Sequence, residues 1–136
     1  MNVNKRKLAR EHMMKVAFQM DARNDFRGED REVYMDREKI KYDKKYCEKM
    51  YELLVAHHDE IDCKISEYSK DWEISRIPKI DLSVIRTALI EILYFDDIDP
   101  AISINEAVNM AKKYGLDTSP GFVNAVLGAI YKNENK

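Results

Sequence analysis

The stretch DLSVIRTALIEILYF, residues 81–95, limits the folds open to this chain more than any other. Leu82, Ile85, Leu89, Ile92 and Leu93 recur at the three-and-four spacing of an α-helix and give it a wide apolar face. A helix of that kind has to be packed on by others, so it predicts the centre of a helical bundle. Asp81 reads as its N-cap. DDIDP then breaks it, because Pro100 disfavours helix at Asp99.

The rest of the chain repeats the pattern. With only 4 Gly and 3 Pro, stops are few. Ala9, Met13, Val16, Ala17 and Met20 predict a first helix from about Asn4 to Ala22. Asn24 to Gly28 reads as a turn, with a short helix expected near Glu32 to Ile40. Asp43 can cap the next helix, whose apolar positions are Tyr46, Met50, Leu53, Leu54, His57 and Ile61. A separate short helix is expected from Cys63 to Lys70. WEISRIPKI reads as a connector anchored by Trp72, Ile77 and Ile80. Ser103 and Glu106 fit a capping box for the helix carrying Ala107, Val108, Ala111 and Tyr114, with Gly115 in the left-handed position after it. LDTSPG is a loop before a last helix over Phe122, Val123, Val126, Leu127 and Ile130. The expected fold is all-α, a compact bundle of about seven helices, in a single domain over 1–136.

At 136 residues the chain can bury a core without staples. A net charge of -2 excludes a bulk nucleic-acid coat, so any electrostatic recognition must be local. No export signal and no apolar run of membrane-spanning length is evident, which predicts a cytoplasmic protein. Cys47 and Cys63 stand without a second pair and read as reduced thiols in core or boundary positions. His57 and Glu60 form one H-x-x-E turn, too few ligands for a metal, and read as a helix end with His57 packed inward. Neither a P-loop nor a dinucleotide fingerprint nor a G-x-S-x-G elbow occurs, and Asp96 and Asp97 read as solubilising turn residues. No catalytic constellation can be assembled, so no enzyme, metal or cofactor is expected.

The signal that remains is at the start. Lys5, Arg6, Lys7 and Arg10 crowd the first turns of the first helix with no acid before Glu11. A helix N-terminus carries partial positive charge and prefers acids, each misplaced cation costing about 0.3–1 kcal/mol when unscreened. A phosphate bound there relieves both the dipole and the crowding. Charge alone leaves two readings open, a binding face and a frayed, solvated terminus. Phe18, Phe26 and Phe122 are the aromatics available to stack on bases, and equally to pack in the core.

One ordered set of residues separates these readings. Lys5 to Glu11 spells KRKLARE. Trp72, Arg76-Ile77, Ile80-Asp81 and Ile85-Arg86 follow, then Ile104-Asn105-Glu106-Ala107-Val108, Ala111-Lys112, Gly115 and Phe122-Val123-Asn124. In this order, over nearly the whole chain, they resemble the bacterial NusB transcription antitermination family. The resemblance implies an all-α fold of two packed helical subdomains. It also implies a non-catalytic RNA-binding adaptor that needs no cofactor. Its partners would be the ribosomal small-subunit protein NusE, the single-stranded boxA element of nascent ribosomal RNA leaders, and the elongating RNA polymerase, whose premature termination it would suppress. Lys5, Arg6, Lys7 and Arg10 match the family's RNA-contacting start. Phe122 and Asn124 match its FVN motif, where Phe122 can stack on a base and Asn124 read an edge, or both can lock the last helix. Arg76 and Arg86 read as ion-pair partners for Asp81 or other acids. Two positions depart from the pattern: Ala125 stands where the family has Gly, and Gly128 where it has an acid. A protein–protein adaptor, or a homodimer that buries the basic face, is the alternative.

Overall fold

The computed structural model describes residues 2–36, 43–69 and 72–134. Among these residues there are six α-helices and no strand: α1 (Asn2–Ala22), α2 (Arg31–Tyr34), α3 (Lys44–Tyr68), α4 (Lys79–Tyr94), α5 (Pro100–Tyr114) and α6 (Ser119–Glu134). A 3-10 turn at Ile74–Arg76 joins α3 to α4.

Every residue of α4 from Asp81 to Glu91 is buried. Its place is central, as its sequence predicts: α4 packs on α1, α3, α5 and α6, while α1 also packs on α3, α5 on α6 and α3 on α6. Leu82, Ile85, Leu89 and Ile90 are fully enclosed, each worth about 1.5–3 kcal/mol of burial. The predicted stripe of α1 (Ala9, Met13, Val16, Ala17 and Met20) and that of α6 (Val123, Val126, Leu127 and Ile130) face the same core.

Several local expectations are corrected. The helices expected around Tyr46–Ile61 and Cys63–Lys70 are one helix, α3, of 25 residues, so the count is six. No Gly or Pro interrupts it, and Ile61 and Ile65 extend one buried stripe across the supposed break. Residue 70 lies outside the described residues, as do 37–42, which hold the later part of the helix expected at Glu32 to Ile40; what is described of that helix is the single turn α2. Asp43 does cap α3, accepting from the Tyr46 N–H at 3.4 Å.

Asp81 does not cap α4. The helix begins at Lys79 after Pro78, and Asp81 sits in its first turn, where burial pushes its carboxyl pKa up and a hydrogen bond with Ser119 pulls the other way. Ser103 and Glu106 do not form a capping box either. Asp99 caps α5, accepting from the Ala101 N–H at 2.9 Å, and Pro100 fits the first turn because its missing N–H would be unpaired there anyway. Ser103, displaced into the helix, turns inward. Gly115 is extended, at φ -96 and ψ -166, not left-handed. Its reason is closeness: a Cβ there would lie 2.6 Å from the Ser119 hydroxyl oxygen. That hydroxyl accepts from the Leu116 N–H at 2.9 Å, so α6 starts at Ser119, three residues earlier than Phe122.

Candidate nucleic-acid interface

The first turns of α1 run beside the starts of two other helices. A groove of about 610 Å3 is lined by Lys5, Arg6 and Arg10, by Asp43 at the cap of α3, and by Asp97, Ile98, Ile102 and Glu106 at and before the start of α5. Three helix N-termini therefore meet at one open hollow. Each contributes partial positive charge, although side-chain caps take up an N–H at two of these starts, Asp43 at α3 and Asp99 at α5, and the hollow is lined by three carboxylates beside its three cations.

The four predicted cations occupy graded depths. Lys5 and Lys7 are exposed, Arg6 is half-buried, and Arg10 is only 6% exposed. Lys5 makes no salt bridge among the described residues, and Lys7 reaches Glu106 at 4.0 Å. Arg6 pairs through Nε with Asp43 at 2.5 Å and lays its guanidinium over the Tyr46 ring, 4.7 Å from the centroid. Arg10 grips Glu91 with two hydrogen bonds, Nε to Oε2 at 2.7 Å and Nη2 to Oε1 at 3.2 Å. In sequence α1 has no acid near its start; in space α3, α4 and α5 supply three.

Glu91 is the hub beneath the groove. Besides Arg10 it accepts from the Ser103 hydroxyl of α5 at 2.8 Å and from the Tyr46 hydroxyl of α3. Four helices thus share one carboxylate, 2% exposed. Burial works against the Arg10 charge, but the hydrogen bonds and charge of Glu91 outweigh it and hold the guanidinium pKa above its ordinary value. Burial, then the Glu91 charge, pushes the Tyr46 phenol well above its usual range. Both groups are fixed in their ordinary ionisation states across physiological pH. The sequence reading overlooked this hub, although an acid inside the most apolar helix was its signal: a buried carboxylate needs a cation.

Phe122 and Asn124 do not line the groove. They lie on the first turns of α6, Phe122 half-buried and Asn124 exposed. Phe26 is buried and stacks on His58, 4.7 Å between centroids. His57 stacks on Tyr94 at 4.4 Å. Among the described residues no group of three or more His, Cys, Asp or Glu is placed to hold a metal ion. Nor is any helix there long and apolar enough to cross a membrane.

Arg86 carries the second buried charge network. It donates to both carboxylate oxygens of Asp62, at 2.8 and 2.9 Å, and to Asp21 at 2.9 Å. Its expected ion-pairing role is met, by acids on α3 and α1 and not by Asp81. Arg76 is different: it is exposed and makes no salt bridge among the described residues. Trp72 does not anchor its connector by burial, being 48% exposed, whereas Ile77 is buried and Ile80 half-buried.

With this geometry in hand, comparison with known proteins is specific. A family model described as the NusB family matches residues 7–132. The transcription antitermination protein NusB of Alkaliphilus oremlandii is 42% identical over 130 residues, covering 95% of this chain and 94% of that protein. Among solved structures, T. maritima NusB superposes with a TM-score of 0.84 at 32% identity, covering 94% of this chain and 91% of that one. A complex of the antitermination factors NusB and NusE with double-stranded RNA matches with a TM-score of 0.81 at 28% identity, covering 95% and 97%.

Proposed function

The chain belongs to the NusB family, and on that premise we propose that it is a non-catalytic RNA-binding subunit of transcription antitermination. In this reading it pairs with NusE and binds the single-stranded boxA element of nascent ribosomal RNA leaders. The pair then joins the elongating RNA polymerase and suppresses premature termination.

The observation that carries the reading is the groove where the starts of α1, α3 and α5 meet around Lys5, Arg6 and Arg10. Lys5 and Lys7 are the exposed cations and make the first phosphate contacts. Arg6, held by Asp43, exchanges that carboxylate for a phosphate. Arg10 holds the α1 start over Glu91 and acts by positioning. Phe122 and Asn124 contribute at a separate place on α6, so the RNA runs over the surface and is not confined to one pocket.

The test is affinity for a boxA-like single-stranded RNA and for a duplex of equal length, with and without NusE, over a range of salt. Each lost phosphate contact should flatten the log–log slope by roughly 0.7 for a single strand. Lys5→Gln with Lys7→Gln should weaken binding and flatten the slope while leaving the helical fold intact. Unchanged affinity in that variant would sink the role of the α1 start. Binding of NusE with no RNA affinity in either state would favour a pure protein adaptor instead.

A further inference from the structure

Trp72 stands outside the groove. Its backbone is pinned: its N–H donates to the Ser69 carbonyl at 3.1 Å, and its own carbonyl accepts from the Ser69 hydroxyl at 2.8 Å. Its side chain is not enclosed, with about half its surface in water. The indole meets the Phe122 ring edge to face, centroids 6.4 Å apart and planes at 69°. Phe122 in turn packs on the core. Asn124 lies exposed two residues along α6, and Arg76 lies exposed four residues along the connector.

A single exposed apolar side chain needs no explanation. This one has three features beyond exposure. Its backbone is fixed and its side chain has only two rotatable angles, so little entropy is lost when something packs on it. An edge-to-face pair covers at most one face of one ring, and with 48% of its surface exposed Trp72 keeps aromatic surface in water beside Phe122. And a cation with no salt bridge among the described residues, together with an exposed amide, belongs to the same two segments. Aromatic face, cation and amide are the three chemistries that hold an unpaired nucleotide by its base plane, its phosphate and its base edge.

We propose that Trp72, braced edge-on by Phe122, is a base-stacking residue for single-stranded RNA, with Arg76 holding a flanking phosphate. The inference rests on the RNA-binding reading above. It extends the α6 contact of that reading onto the α3–α4 connector.

The chain has one Trp, so its fluorescence reports this site alone. The probe is a boxA-like single-stranded RNA added to the full chain, with binding followed independently by anisotropy of a labelled strand. Stacking should quench the Trp72 emission in step with binding. Trp72→Ala should weaken affinity roughly tenfold to a hundredfold, and Trp72→Phe should recover most of it. Arg76→Gln should lower the salt slope by about 0.7. If Trp72→Ala proves unstable, Trp72→Leu keeps an apolar contact on Phe122 without a stacking plane and should show the same loss.

RNA that binds the wild type by anisotropy without quenching, and equally well to the Ala or Leu variant, overturns the role of Trp72 and leaves the wider RNA reading standing. A blue-shifted emission on adding NusE alone, unchanged by later RNA, assigns the surface to protein and also overturns it. Failure of any RNA to bind, with or without NusE, removes the wider reading and this one with it.

Discussion

Arg10 and Glu91, 81 residues apart in sequence, form a two-bond ion pair that neither α1 nor α4 can complete alone. Arg10 stands in the basic start of α1, and Glu91 lies in the most buried helix of the protein. The pair fastens the basic start of α1 to the core, and Tyr46 and Ser103 complete the carboxylate's contacts from two further helices.

Removing one side of this pair should be expensive. Glu91→Ala leaves the Arg10 charge buried and unpaired, and should lower the unfolding free energy by about 3–5 kcal/mol. Replacing both residues with Met should cost less than the sum of the two single changes. Denaturant unfolding measures all of these. A loss below about 1 kcal/mol for Glu91→Ala would mean that water reaches the pair.

The acids that hold the groove's cations should restrain anion binding. Asp43→Asn keeps a residue able to cap α3 and to adopt the left-handed backbone at φ 49, but removes the carboxylate charge that pairs with Arg6. A partly exposed pair is worth about 0.2–1 kcal/mol. Affinity for single-stranded RNA at low salt should therefore rise roughly 1.5- to fivefold, read by titration. Weaker binding would show that Asp43 organises the site and does not compete for it.

The protein should lose stability as pH rises from about 9. Burial, and then the nearby Asp43 charge, push the Cys47 thiol from an ordinary value of 9.0 up to about 12. A folded-state pKa raised above the unfolded one gives stability that is complete below the unfolded value and disappears as pH climbs through the folded one. Between about pH 9 and about 12 the unfolded chain releases the Cys47 proton first. Tyr46 acts in the same direction, since burial and Glu91 raise its phenol. Urea titrations at pH 8 and pH 10.5 should show this fall, and Cys47→Ala should show less of it. At pH 8 a thiol reagent should modify exposed Cys63 rapidly and buried Cys47 only on unfolding.

Two glycines should respond oppositely to alanine. At Gly128, within α6, a Cβ would meet nothing within 4 Å, so Gly128→Ala should stabilise by about 0.8–1 kcal/mol through helix propensity. At Gly28, φ is +78 and a Cβ would lie 3.0 Å from Val55, so Gly28→Ala should destabilise. Thermal melts of the two variants should move in opposite directions.

Much of the fold was legible because helices announce themselves locally. The buried faces of α1, α4 and α6 follow from spacing within about twenty residues, and the cap at Asp43 needs only its neighbours. Boundaries were harder where two local rules competed. Ser103 and Glu106 satisfy the capping-box pattern, but Asp99-Pro100 offers a start one turn earlier. Packing then takes Ser103 inward to Glu91. Similarly, the local pattern allows a new helix at Cys63, but Ile61 and Ile65 face one core and keep α3 continuous.

The candidate site divides along the same line. Periodicity and local charge depend on neighbours along the chain, so an all-helical fold whose first helix begins with cations at its positive end can be read from the residues in order. Which of those cations meet solvent depends on the packing of distant segments. Their acids arrive from α3, α4 and α5, as Arg6 meets Asp43 across 37 residues and Arg10 meets Glu91 across 81. The exposure of Trp72 beside Phe122 was likewise invisible in the chain, since whether an aromatic is enclosed depends on surfaces that meet only on folding.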